Sequence, residues 1–162
     1  MSAVGETTSQ RGAHIGWRLA AIGYDLMPLI GIWMLVALLA MVGLQLATGS
    51  TDVVVKDAVA HRDWLYWGAL RLGLLAATAA YFILSWRRGG QTIGMRAWRL
   101  HLVSSDGSPI SNQQAWQRFG MAFLSLVALG LGFIWCLIDR DRRAWHDIVS
   151  RTRLIRVPGK IR

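Results

Sequence analysis

An aspartate, Asp25, lies in a stretch that otherwise runs without a charge from Leu19 to about Thr51, and Arg18 precedes it by seven residues. A carboxylate at bilayer depth costs at least a few kcal/mol to insert, so such a residue is a candidate for holding a cation or a proton. Seven residues are close to two helical turns, which puts Arg18 and Asp25 on one face, about 10 Å apart along the axis. Pro28 follows three residues after Asp25. It has no N–H, so the carbonyl of Tyr24 loses its helical partner and becomes a second oxygen beside the carboxylate. The plainer alternative is a helix that begins near Leu26, with Asp25 in the headgroup layer, because Leu26 to Ala47 alone is long enough to span.

These residues need elements to position them, and the apolar runs supply them. The chain has 162 residues, 54% of them hydrophobic, a share above that of most soluble domains. Leu26 to Ala47 has no ionisable group, Trp64 to Trp86 has only Arg71, and Phe119 to Ile138 has none. Each run is near the 20 residues that cross a bilayer of about 30 Å. The first helix is expected from about Ile15 to Ala47 and the second from Trp64 to Trp86, with Trp and Tyr at both of its ends. The near-neutral segment Thr48 to Asp63 joins them. Gly130-Leu131-Gly132 interrupts the third run. It reads either as a broken or re-entrant element, or as an ordinary third span.

Charge distribution bears on that choice. Arg87, Arg88, Arg96 and Arg99 place the loop after the second helix in the cytoplasm. A complete third span would then export the most basic part of the chain, Arg140 to Arg162, whereas a hairpin would keep both termini cytoplasmic. Ala97 to Val103 and Arg151 to Val157 alternate as short strands do, and they can pair only if they share one side. Ser111 or Asn112 can cap a helix starting near Gln113. The expected fold is an all-α membrane protein: two full transmembrane helices, a third broken or re-entrant apolar element, and a short cytoplasmic β-strand pair.

Several function classes are not supported. Cys136 is the single cysteine and has no internal disulfide partner; His14, His61, His101 and His146 are scattered without ligands at metal spacing. No nucleophile–base pair or dinucleotide loop is legible, so neither an enzyme nor a cofactor is expected. The net charge of +9 is read as contact with anionic lipids and as an orientation signal, because the basic residues alternate with Trp near membrane boundaries and no nucleic-acid motif occurs. The apolar run after Arg18 exceeds a signal-peptide core, so the first helix is expected to remain as an anchor.

Taken in order, W-R-L-A-A-I-G-Y-D (Trp17 to Asp25), Q-T-I-G-M-R (Gln91 to Arg96), Asp106-Gly107, L-G-L-G-F-I-W (Leu129 to Trp135) and R-R-A-W-H-D-I-V-S-R-T (Arg142 to Thr152) resemble the RDD family of membrane proteins. That family is named for one arginine and two aspartates. Arg18 and Asp25 match the first two, and both Asp139 and Asp147 stand in matching context for the third, with Asp147 preferred. The resemblance covers an RDD-type module over 14–157; the polar, small residues 1–13 read as a mobile tail and 158–162 as a basic one. The resemblance also implies a possible transport role, since some members are described as cation/proton antiporters.

Two functions follow as expectations. In the first, an oligomer transports a cation or proton through Asp25, with Asp147 and the Tyr24 carbonyl as further binding groups. Arg18, Arg118, Asp139 and His146 would be the surrounding charge cluster. In the second, Arg18, Asp25, Arg118 and Asp147 form a structural cluster that locks helices together. The protein would then be an assembly, anchoring or regulatory subunit for another membrane protein. In both, the expected location is the cell membrane, in a bacterium the inner one, and the expected partners are lipid and a second copy or another membrane protein.

Overall fold

A computed structural model describes residues 12–49 and 64–157. Most of the expected tails (1–13 and 158–162) and most of the segment between the first two helices lie outside the described residues. The chain divides into two compact units, residues 26–81 and residues 1–25 with 82–162.

Two long helices run through both units: α1 (Ile15–Thr48) and α2 (Trp64–Gly89). Both are long and apolar enough to cross a membrane. Pro28 lies inside α1, which continues past it without a break. Helix α2 runs three residues beyond the expected Trp86, through Arg87 and Arg88. Cations in a last turn are favoured by the partial negative charge of the helix end. Within residues 26–81 a polar pin joins the helices: the Trp33 indole N–H donates to Thr78 Oγ1 at 2.9 Å, and the Thr78 hydroxyl donates to the Leu74 carbonyl at 2.7 Å. A Cβ on Gly73 would lie 3.6 Å from Val36 Cγ1, so the helices approach closely there. Large apolar side chains such as Met27, Met34, Leu39 and Leu46 are exposed, as a lipid-facing surface requires.

The other unit carries the remaining elements: α3 (Ile93–Ala97), β1 (Leu100–Ser104), α4 (Asn112–Val127), α5 (Leu131–Ile134), a 3₁₀ turn (Trp135–Leu137), α6 (Trp145–Val149) and β2 (Thr152–Arg156). The two strands pair antiparallel, Leu100 opposite Arg156 and Ser104 opposite Thr152. Strand β1 starts three residues later than its alternation suggested. Thr92 caps Met95 N and turns residues 93–97 into a helix instead. Leu100, Leu102 and Leu154 form the buried face of the sheet.

The third apolar run is bent. Ser111 caps α4 with a full capping box to Gln114, and the axis turns by 110° between α4 and the segment Leu131–Leu137. Leu129 (φ 56°) and Gly130 (φ 80°) make the turn. Gly132 then packs so closely on Ser125 that a Cβ would overlap its side chain, with Trp145 just behind. The chain thus returns to α4 instead of running straight, and the straight third span is not what folds. Gly12 and Ala13, expected in the tail, are buried: Gly12 N–H donates to the Asp141 carbonyl at 3.0 Å and Ala13 N–H to the Leu154 carbonyl at 2.8 Å.

Candidate functional site

Two buried carboxylates organise the unit that holds the strands. The first, Asp147, is the third residue of α6. It reaches back and accepts the Ala144 N–H through Oδ2 at 3.0 Å, as the third residue of a capping box does, while the alanine itself offers no side-chain acceptor. The same oxygen receives Arg18 Nη1 at 2.6 Å, while Oδ1 is bound by Arg118 Nη1. One carboxylate therefore joins α1, α4 and α6. Arg18 also donates to the Ala13 carbonyl at 3.1 Å and the Arg142 carbonyl at 3.0 Å. Arg118 stacks against Trp86, 5.3 Å from the ring centre, and donates to Thr152 Oγ1 at 2.8 Å.

The polar chain continues from there. Ser150 donates its single hydrogen to the His146 carbonyl at 2.5 Å, so Thr152 must be the donor in its 2.7 Å contact with Ser150. Arg118, Thr152, Ser150 and His146 thus form one directed series. His146, Asp147 and Thr152 meet because one turn of helix and a strand start separate them.

Burial pushes the Asp147 carboxyl up, but Arg118 and Arg18 together override it and hold it below the usual carboxylate range. Burial and then Arg118 push the His146 imidazole down to about 3, with Asp147 opposing only in part. His146 is neutral at pH 7, and its 3.6 Å approach to Asp147 is no ion pair. Among the described residues its Nδ1 has no hydrogen-bond partner; its ring packs 4.8 Å from that of Phe133.

The second carboxylate is Asp25. Its Oδ1 accepts the Gly94 N–H at 2.8 Å and its Oδ2 meets the Thr92 hydroxyl at 2.5 Å. Asp25 and the Thr92 cap together satisfy the first donors of α3. Gly94 is required by space: a Cβ there would collide with the Ala21 carbonyl, and Asp25 Cγ would be 2.9 Å away. Gln91 ties the same turn to the sheet by donating to the Leu100 carbonyl at 2.7 Å.

Of the residues expected at the site, Arg18, Arg118, Asp147 and His146 come together. Asp25 takes part in a second cluster with Thr92 and Gly94. Asp139 lies apart from both, half-buried and paired with Arg143 at 3.1 Å. The Tyr24 side chain is exposed and sets its edge against Trp98, with ring centres 5.6 Å apart. Sequence reasoning quoted Thr92, Gly94 and Thr152 only within family-like strings and gave them no role. The available signal was the Thr92 cap ahead of a helix too short to show a period. Among the described residues, no three His, Cys, Asp or Glu side chains converge as metal ligands do.

Two outcomes follow from the first cluster. Asp147→Asn strands two buried guanidiniums, and its expected cost is about 3–5 kcal/mol of stability, read by denaturant unfolding in detergent. The second concerns pH. An unfolded chain protonates His146 near pH 6.5, whereas the folded chain resists until about pH 3, so the unfolded state binds the extra proton in between. Stability should fall as pH drops through that window, and His146→Gln should flatten the decline. Asp147 acts in the same direction at lower pH, since its folded pKa is depressed. An unchanged slope in the His146 variant would remove the histidine from this account.

The chain matches the sequence model of the RDD family over residues 12–151. No curated protein and no solved structure matches it. The matched region contains Arg18, Asp25 and Asp147, together with Thr92, Gly94 and Arg118, which hold the two carboxylates. On that match over most of its length, the chain belongs to the RDD family of membrane proteins.

Proposed function

We propose that this polytopic membrane protein is an assembly module: its charged residues hold the fold, and it acts by contact with a second copy or another membrane protein. The observation that carries the reading is that every oxygen of both carboxylates already accepts a hydrogen bond from within the fold. Asp147 receives Arg18, Arg118 and the Ala144 N–H, and Asp25 receives Thr92 and the Gly94 N–H. A cation site presents several oxygens to the ion. Here the oxygens already accept hydrogen bonds, and Asp147 carries two guanidiniums as well. The length of α1 agrees: its 34 residues extend roughly 51 Å, leaving about 35 Å after Asp25, enough to span without it.

One observation favours transport as a second reading. A hydroxyl both donates and accepts, so Thr92 can donate to an ionised Asp25 or accept from a protonated one. Proton and cation flux in proteoliposomes of the purified protein separates the two. Under the assembly reading, flux equals that of empty vesicles, and Asp25→Asn stays folded, because an amide still accepts from Gly94 N–H and can donate to Thr92. Flux that vanishes in a folded Asp25→Asn protein would establish transport and displace the assembly reading.

The proposed topology is multi-pass in the cell membrane with both termini cytoplasmic. The hydrogen bond from Ala13 N–H to the Leu154 carbonyl supports a shared side for the two ends, and the arginines around both strands support the cytoplasmic one. A C-terminal reporter should score as cytoplasmic; an extracytoplasmic score would overturn this topology.

A further inference from the structure

Three exposed arginines, Arg96, Arg99 and Arg156, gather at one end of the strand pair. The register sets Arg156 opposite Leu100, and the Val157 N–H donates to the Arg99 carbonyl at 2.9 Å. Arg99 adopts φ 56° in a tight turn that donates its N–H to the Arg96 carbonyl at 3.2 Å. None of the three joins an ion pair among the described residues. There the arginine ion pairs are those of Arg18, Arg118 and Arg143.

Beside them is an aromatic shelf. The Arg156 guanidinium lies 4.0 Å from the centre of the Trp17 ring. Trp17 meets Trp98 at 5.2 Å, and Tyr24 sets its edge on Trp98 at 5.6 Å. Trp17 and Tyr24 are seven residues apart on the first turns of α1, the helix that continues as a membrane span. Trp and Tyr at that position belong to the headgroup layer. A guanidinium stacked by its face keeps its edge N–H groups free, and that planar fork matches two oxygens of one phosphate.

We infer that Arg156, Arg99 and the Trp17–Trp98–Tyr24 shelf bind the phosphate of an anionic phospholipid headgroup. The lipid is favoured over a free anion because Trp17 and Tyr24 stand on the first turns of a helix long and apolar enough to cross a membrane, which sets the arginines beside them at headgroup level. Positive charge without carboxylate partners at the headgroup level gives the electrostatic selection against zwitterionic lipids.

The test uses the full chain in vesicles of phosphatidylcholine alone and of phosphatidylcholine with phosphatidylglycerol. Thermal unfolding and retained lipid are read by calorimetry and native mass spectrometry. The wild type should gain stability from phosphatidylglycerol. Arg99→Gln with Arg156→Gln should bind it on the order of tenfold more weakly, while unfolding in phosphatidylcholine alone is unchanged. Arg87→Gln with Arg88→Gln removes the same charge from exposed positions on α2 and should keep the response. Equal losses in both double variants would reduce the effect to net charge and overturn the site, as would no loss in either. Inorganic phosphate in detergent that reproduces the stabilisation would replace the lipid with a free anion and overturn the assignment. Should Arg156→Gln be unstable in phosphatidylcholine, Arg99→Gln alone and Arg156→Lys, which keeps charge but loses the fork, carry the comparison; a full response in both would also overturn it.

Discussion

The unit that contains the strands depends on one carboxylate shared by two guanidiniums. Arg18 is 6% exposed, Arg118 3% and Asp147 1%. Charges this deep are costly unless their partners and hydrogen bonds are nearly complete. Completion is what the surrounding backbone supplies: the Ala144 N–H to the aspartate and two main-chain carbonyls to Arg18. Arg118 gains Thr152 and the Trp86 face, while its buried Nε has no hydrogen-bond partner among the described residues. Because these groups come from α1, α2, α4, α6 and β2, satisfying the charges fixes where each element sits.

Asp25 does a parallel job at smaller scale. Helix α3 has only five residues, too few to stand on propensity. A capping threonine and a carboxylate from another helix hold its first donors, and a glycine lets the backbones meet. Arg18 and Asp25, two turns apart on α1, therefore anchor different parts of the same unit. Arg18 ties α1 to the returning C-terminal segment, and Asp25 ties it to the turn after α2.

This division explains what could be read beforehand. Apolar runs located α1 and α2, and the glycines at 130 and 132 marked the bend, because length and composition are local properties. Seven-residue spacing put Arg18 and Asp25 on one face and suggested a common cluster. A face does not name a partner, however, and about 10 Å along an axis leaves room for two. Arg118 and Asp147 are 29 residues apart and meet only because the hairpin returns. Helices of five residues, such as Ile93–Ala97 and Trp145–Val149, leave no periodic trace, and the first displaced the start of β1. Asp147 and Asp139 looked alike in local context. Only burial beside two arginines separates the one from the half-exposed Asp139–Arg143 pair.

A network with this many shared ion pairs also limits how the unit can respond to its surroundings. Neutralising Asp147 leaves two buried cations, and moving α6 breaks its bonds to both α1 and α4, so the polar core resists gradual deformation. The apolar bend behaves differently. Leu129 is 91% exposed, and Leu126, Val127 and Ile138 are largely exposed beside it. In a bilayer that surface gains most from being covered by lipid or by another helix. The charged residues thus give the unit a fixed frame, and the 110° bend presents an exposed apolar surface beside it.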